Sequence, residues 1–138
     1  MSFPPKQTVT ITNSNSNRLF TATDDYRISL ESRDAAKDQT WILKGNAGSD
    51  HVSIICVQHN RNNFLALTYT PYNELKFVLK PYQANDVSQI FKFNPASVAT
   101  VSIASAEDSS KFACPDGNNA SILTASTNST PQWVINLN

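Results

Sequence analysis

The chain has 138 residues, about one domain's worth and enough to bury a single core without disulfide or metal staples. Lys+Arg 11 balance Asp+Glu 11 and neither sign collects into a run, so the basic footprint that phosphate backbones or anionic surfaces demand is missing and nucleic acid is excluded as an expected partner. Three glycines leave no Gly-rich phosphate cradle, and a charged fraction of only 16% with abundant Asn and Ser suits a β-protein with polar turns better than a helical one.

Thr8-Val9-Thr10-Ile11-Thr12 alternates hydroxyl and apolar residues, as a half-buried strand requires, and stops at the turn-forming run Asn13-Ser14-Asn15-Ser16-Asn17. Arg18 to Ala22 reads as a second strand, Asp24-Asp25 as a turn, Ile28-Ser29-Leu30 as a third strand and Asp38 to Leu43 as a fourth. The same order returns twice. Val52-Ser53-Ile54 and Val101-Ser102-Ile103 match Val9-Thr10-Ile11, while Phe64-Leu65-Ala66 and Lys111-Phe112-Ala113 match Arg18-Leu19-Phe20. Phe77-Val78-Leu79 and Ser121-Ile122-Leu123 match Ile28-Ser29-Leu30. Each set closes on a glutamine followed by an aromatic: Gln39-Thr40-Trp41, Gln89-Ile90-Phe91 and Gln132-Trp133. From the third-strand leucine (Leu30, Leu79, Leu123) to that glutamine the intervals are nine, ten and nine residues.

The motif glutamines stand 50 and 43 residues apart, and a period of that size is one supersecondary unit used three times. No window shows a helical period, so the expected fold is all-β: twelve short strands in three pseudo-repeats, about residues 8–46, 51–94 and 99–138 of a single domain spanning 1–138. Trp41, Phe91 and Trp133 should pack around a pseudo-threefold axis, with the motif glutamines bonding backbone in the loops that precede them. Cys56 and Cys114 lie in apolar strand-like runs and read as buried thiols.

Three four-strand units, each closing on Gln-x-Trp or a close variant, resemble the β-trefoil of ricin-B type, most closely the small cytoplasmic β-trefoil lectins of mushrooms and other fungi. That resemblance covers essentially the whole chain. It implies a carbohydrate-binding protein whose partners are glycans or glycoproteins, with protease inhibition through a protruding loop (Asn60 to Asn63 or Gln83 to Ser88) or protein binding as the alternatives on the same fold. The family's sugar-binding aspartate falls here on Thr21, Leu67 and Cys114, which implies a rearranged site.

Sugar binding needs an aromatic face and fixed polar groups. Thr68-Tyr69-Thr70-Pro71-Tyr72-Asn73-Glu74, with Tyr82 after the next strand, supplies both, making Tyr69, Tyr72, Asn73 and Tyr82 the first candidates; the alternative is that these tyrosines cap the barrel rim. Asp24 and Asp38, beside Tyr26 and Gln39, form a second candidate in the first unit, and Asp116-Gly117-Asn118-Asn119 reads as a turn. His51 and His59 flank one strand, no Ser or Cys occupies a nucleophile motif, and the Cys and His spacings match no zinc pattern. No catalysis, metal or cofactor is therefore expected. The opening Met1-Ser2-Phe3-Pro4-Pro5 lacks the plan of a secretion signal, and no stretch approaches the ~20 apolar residues that span a bilayer. The expectation is a cytoplasmic protein without membrane insertion, with release by a non-conventional route and homodimerisation left open.

Overall fold

A computed structural model describes residues 8–45, 51–57, 64–95 and 100–138. His59 and the Asn60 to Asn63 turn lie outside these residues, as do the outer limits 46 and 99 expected for the first and third repeats. The described chain forms twelve strands and one 3₁₀ turn, Val87–Gln89. The strands are β1 Val9–Asn13, β2 Leu19–Ala22, β3 Ile28–Glu31 and β4 Trp41–Gly45; β5 His51–Cys56, β6 Leu65–Tyr69, β7 Phe77–Pro81 and β8 Phe91–Pro95; β9 Val101–Ser105, β10 Phe112–Pro115, β11 Leu123–Ser126 and β12 Trp133–Leu137.

Six strands close a ring. β1 pairs with β12 and β4, β5 with β4 and β8, and β9 with β8 and β12, all antiparallel. The remaining strands form three hairpins, β2–β3, β6–β7 and β10–β11, one attached to each odd-numbered barrel strand. Closure leaves the barrel strands no free edge. The hairpins lean on one another through the bridges Arg27↔Val78 and Ser29↔Ile122, and so cap one end of the barrel. This is the β-trefoil architecture that the threefold repeat predicts.

The register is threefold as well. Val9 faces Trp41, Val52 faces Phe91 and Val101 faces Trp133. All three aromatics are fully buried, and the ring of Phe20 meets Trp133 and Trp41 edge-on at 4.8 and 6.2 Å. The Trp41 indole N–H donates to the Phe20 carbonyl at 3.1 Å and that of Trp133 to the Ala113 carbonyl at 2.8 Å. These matching bonds make Phe20 and Ala113 equivalent positions.

The glutamines act on backbone as expected in two units. Gln39 Nε2 donates to the Ser32 carbonyl and Thr21 Oγ1, while its Oε1 accepts from Asp34 N. Gln89 repeats this with the Pro81 carbonyl, Thr68 Oγ1 and Gln83 N. Gln132 departs from the pattern: its Oε1 accepts from Asn13 Nδ2 and its Nε2 meets Cys114 Sγ at 3.6 Å. The connection before β12 has six residues where the other two units have nine, so the third glutamine has no long loop to hold and crosses to β1 instead.

Two alignments drawn from the sequence are corrected by these bonds. The second-unit equivalent of Thr21 and Cys114 is Thr68, the residue that Gln89 reaches, and not Leu67. Phe20 pairs with Leu30 and Leu67 with Leu79, but Ala113 pairs with Ala125. Leu123 therefore stands with Ile28 and Phe77, two positions before the place expected for it.

Cys56 and Cys114 are buried thiols. Burial pushes the Cys114 thiol above its ordinary pKa, as for an inert sulfur in apolar surroundings.

Candidate ligand-binding surface

The turn that joins β6 to β7 is braced from within. Thr70 N donates to the Lys76 carbonyl at 2.8 Å and Thr70 Oγ1 to that of Leu75 at 2.7 Å. Asn73 N donates to the Thr70 carbonyl and the Lys76 ammonium to that of Pro71. Pro71 fixes one backbone angle besides. On this rigid support Tyr72 is 99% exposed, with Asn73 and Glu74 beside it on the surface.

The other two tyrosines assigned to this site lie elsewhere. Tyr69 is 5% exposed and packs on Phe77, which continues to Phe91, so its ring belongs to the core and has no face to offer a ligand. Desolvation, with the Asp108 and Glu107 carboxylates adding to it, pushes its phenol above the ordinary pKa. Tyr82 sits at the far end of the hairpin, where Leu65 pairs with Pro81, four strand steps or about 13 Å from the Tyr69–Phe77 end. There the Lys44 ammonium lies 4.8 Å from its ring centre. Tyr72 and Asn73 thus stand without Tyr69 and Tyr82.

In the first unit the bridge Ala22↔Asp38, with Ala22 N donating to the Asp38 carbonyl at 2.9 Å, brings Asp38 to the end of β2, two residues before exposed Asp24. Tyr26, 52% exposed, occupies the same hairpin tip with φ 64°, held there by Leu79 N donating to its carbonyl. Asp24, Tyr26 and Asp38 therefore share one end of the hairpin. In the third unit Asp116 and Asn119 accept from the backbone N–H groups of Asn118 and Ser121, which uses them as turn residues.

A cleft of about 370 Å³ opens on the barrel wall between Thr8, Thr10 of β1, the connection from Arg33 to Thr40 and residue Asn138. The sequence carries no local sign of it, because the residues that cover Thr10 come from another stretch of the chain. Beside this cleft the Lys37 ammonium pairs with Glu31, which also accepts from Ser29 Oγ. These bonds hold the Glu31 carboxyl below its usual 4.5. Asp25, bonded by Thr23, and Asp108, bonded by Ser110, are lowered too. Groups with depressed folded-state pKa values add stability that is complete above their unfolded values and lost as the pH falls through the folded ones. Urea midpoints should accordingly fall between about pH 6 and about pH 3, with a smaller fall for Glu31→Gln. An equal fall in that variant would show the Lys37 pair to be idle.

Among the described residues no three His, Cys, Asp or Glu side chains gather as a metal site, and no helix is long and apolar enough to cross a membrane. No protein-family model and no curated protein matches the chain. Its backbone resembles several solved structures. The apo BEL beta-trefoil superposes with a TM-score of 0.77 at 14% identity, each chain covering 100% of the other. Lysenin in complex with phosphocholine gives 0.74 at 10% identity, over 99% of this chain and 46% of lysenin. The GlcNAcα1-4Gal-releasing endo-β-galactosidase from Clostridium perfringens gives 0.74 at 8% identity, over 96% of this chain and 33% of the enzyme. The chain thus spans less than half the length of the last two. At these identities the likeness is one of fold, and the fold is a β-trefoil.

Proposed function

We propose that this chain is a carbohydrate-binding protein of the Gln-x-Trp trefoil type, holding glycans at its hairpin tips without catalysis, metal or cofactor. The observation that carries the reading is Tyr72: an aromatic ring exposed on a turn whose four internal hydrogen bonds leave it nothing to do for the fold. A rigid ring beside Asn73 and Glu74 meets the apolar face of a sugar and its hydroxyls at little entropic cost. One neighbour of the fold, named for releasing GlcNAcα1-4Gal, supports a carbohydrate ligand. The cytoplasm, where its buried thiols stay reduced, is the proposed location.

A glycan array tests this. Tyr72→Ala should weaken the bound glycan by about 1–3 kcal/mol, or roughly 5- to 150-fold, with the melting temperature unchanged. Normal binding by Tyr72→Ala together with loss in Asp24→Ala or Asp38→Ala would move the site to the first hairpin tip.

A second reading has its own observation. The Gln83 to Ser88 connection is held by Gln89, by Asp86 N donating to the Gln83 carbonyl and by Ser88 bonding Asp86, and it presents Val87 44% exposed. A stiff loop with an apolar tip is what a protease cleft accepts. Tight inhibition of a cysteine or serine protease, lost in Val87→Asp, with a blank glycan array, would favour inhibition over sugar binding.

A further inference from the structure

The cleft on the barrel wall is lined by residues that no hairpin tip contributes. In β1 the alternation that sends Val9 and Ile11 into the core sends Thr10 to the opposite face, where it lines the cleft with Thr8, just before the strand, and the Arg33 to Thr40 connection. Thr10 is only 3% exposed, yet its Oγ1 has no hydrogen-bond partner among the described residues. A buried hydroxyl is normally satisfied, so an unmet one on a residue that lines the cleft marks a place where a polar partner belongs.

The other groups around the cleft divide into spent and unspent. Gln39 is committed to the loop and to Thr21, and Thr8 Oγ1 accepts from Asn138 Nδ2 at 3.1 Å. Lys37 is tied to Glu31, and Asp34 Oδ1 accepts from Ala36 N at 2.9 Å. Arg33 makes no ion pair among the described residues. What remains is a guanidinium fork at the rim, a hydroxyl at the wall, and the second oxygen of Asp34 as an acceptor.

We propose that this cleft binds a compact hydroxylated carboxylate of the uronic-acid class. Arg33 would take the carboxylate in the two-pronged geometry that guanidinium favours, and Thr10 Oγ1 and Asp34 would take ring hydroxyls. The volume lies in the range of small-molecule sites, and the aliphatic parts of Ala35 and Thr40 give the sugar ring an apolar bed. The assignment rests on the cleft alone and not on the hairpin-tip reading.

The test is calorimetric titration of the whole chain with glucuronate and galacturonate, against glucose and galactose. At least one uronate should bind saturably and about tenfold tighter than its neutral counterpart. Arg33→Gln should remove that preference. Thr10→Val keeps the shape of the side chain and deletes only the unmet oxygen, so it should weaken uronate binding severalfold without lowering the melting temperature. No saturable binding of either uronate, equal binding of acid and neutral sugars, or unaltered binding in both variants would overturn the assignment. So would loss of uronate binding in Tyr72→Ala with the Arg33 and Thr10 variants intact, since the acid would then sit on the hairpin tip.

Discussion

Phe91→Ala is expected to destabilise the protein by about 3–5 kcal/mol, the usual cost of emptying a large aromatic site in a packed core. Phe91 is fully buried, faces Val52 across the β5–β8 pairing, and touches Phe77 at a centroid distance of 6.1 Å, which in turn touches Tyr69. The vacated volume lies on the barrel's inner face, where the flanking strands are fixed by pairing on both sides and cannot collapse inward. Against a typical total stability of about 5–15 kcal/mol this is a large fraction, and the melting temperature should drop by roughly 10–20 °C. Urea denaturation with an unchanged slope is the measurement. A loss below about 1 kcal/mol would place Phe91 outside the packed threefold layer.

The fold was legible because its evidence is redundant. Three valines, three glutamines and three buried aromatics recur in one order, and each valine faces the aromatic that closes its own unit. The sequence signal weakens where that redundancy fails. β6 is buried along its whole length, so Leu65, Ala66, Leu67 and Thr68 carry no period-two signal to mark which residue faces inward, and nothing in the sequence separates Leu67 from Thr68 as the equivalent of Thr21. In the third unit the shortened connection before β12 left Leu123 at the interval where Leu30 and Leu79 stand; a slip of two keeps a strand residue on its own face, so alternation could not expose it.

Candidate-site residues were less legible for a related reason. Tyr69 looked like part of a surface turn beside Pro71, but it stands two residues after Leu67 on the same face of β6 and follows that residue into the core. Tyr82 and Tyr72 are separated by the length of a hairpin that brings their strands side by side and their own positions to opposite ends. Thr10 reads as one more outward hydroxyl in an alternating strand. Only the loop that folds over it turns it into a buried one.

That loop owes its shape to Gln39, and the same device in the second unit gives the last expected result. Gln89→Leu preserves side-chain volume while deleting every bond of the clamp: the Gln83 amide loses its acceptor, and the Pro81 carbonyl and Thr68 Oγ1 lose a donor. Gln89 is 1% exposed, so water does not replace what is lost, and the cost should be about 2–4 kcal/mol. Gln132→Leu strands Asn13 Nδ2 and breaks a long contact to sulfur, for an expected cost of about 1–2 kcal/mol. The ranking follows from loop length, because only a nine-residue connection needs holding. Hydrogen exchange should separate the two effects further: Gln89→Leu should speed exchange at Gln83, whereas Gln132→Leu should leave the third connection unchanged. Equal stability losses, with equal loosening of the connections, would mean that the glutamines serve the core alike and that the clamp is incidental.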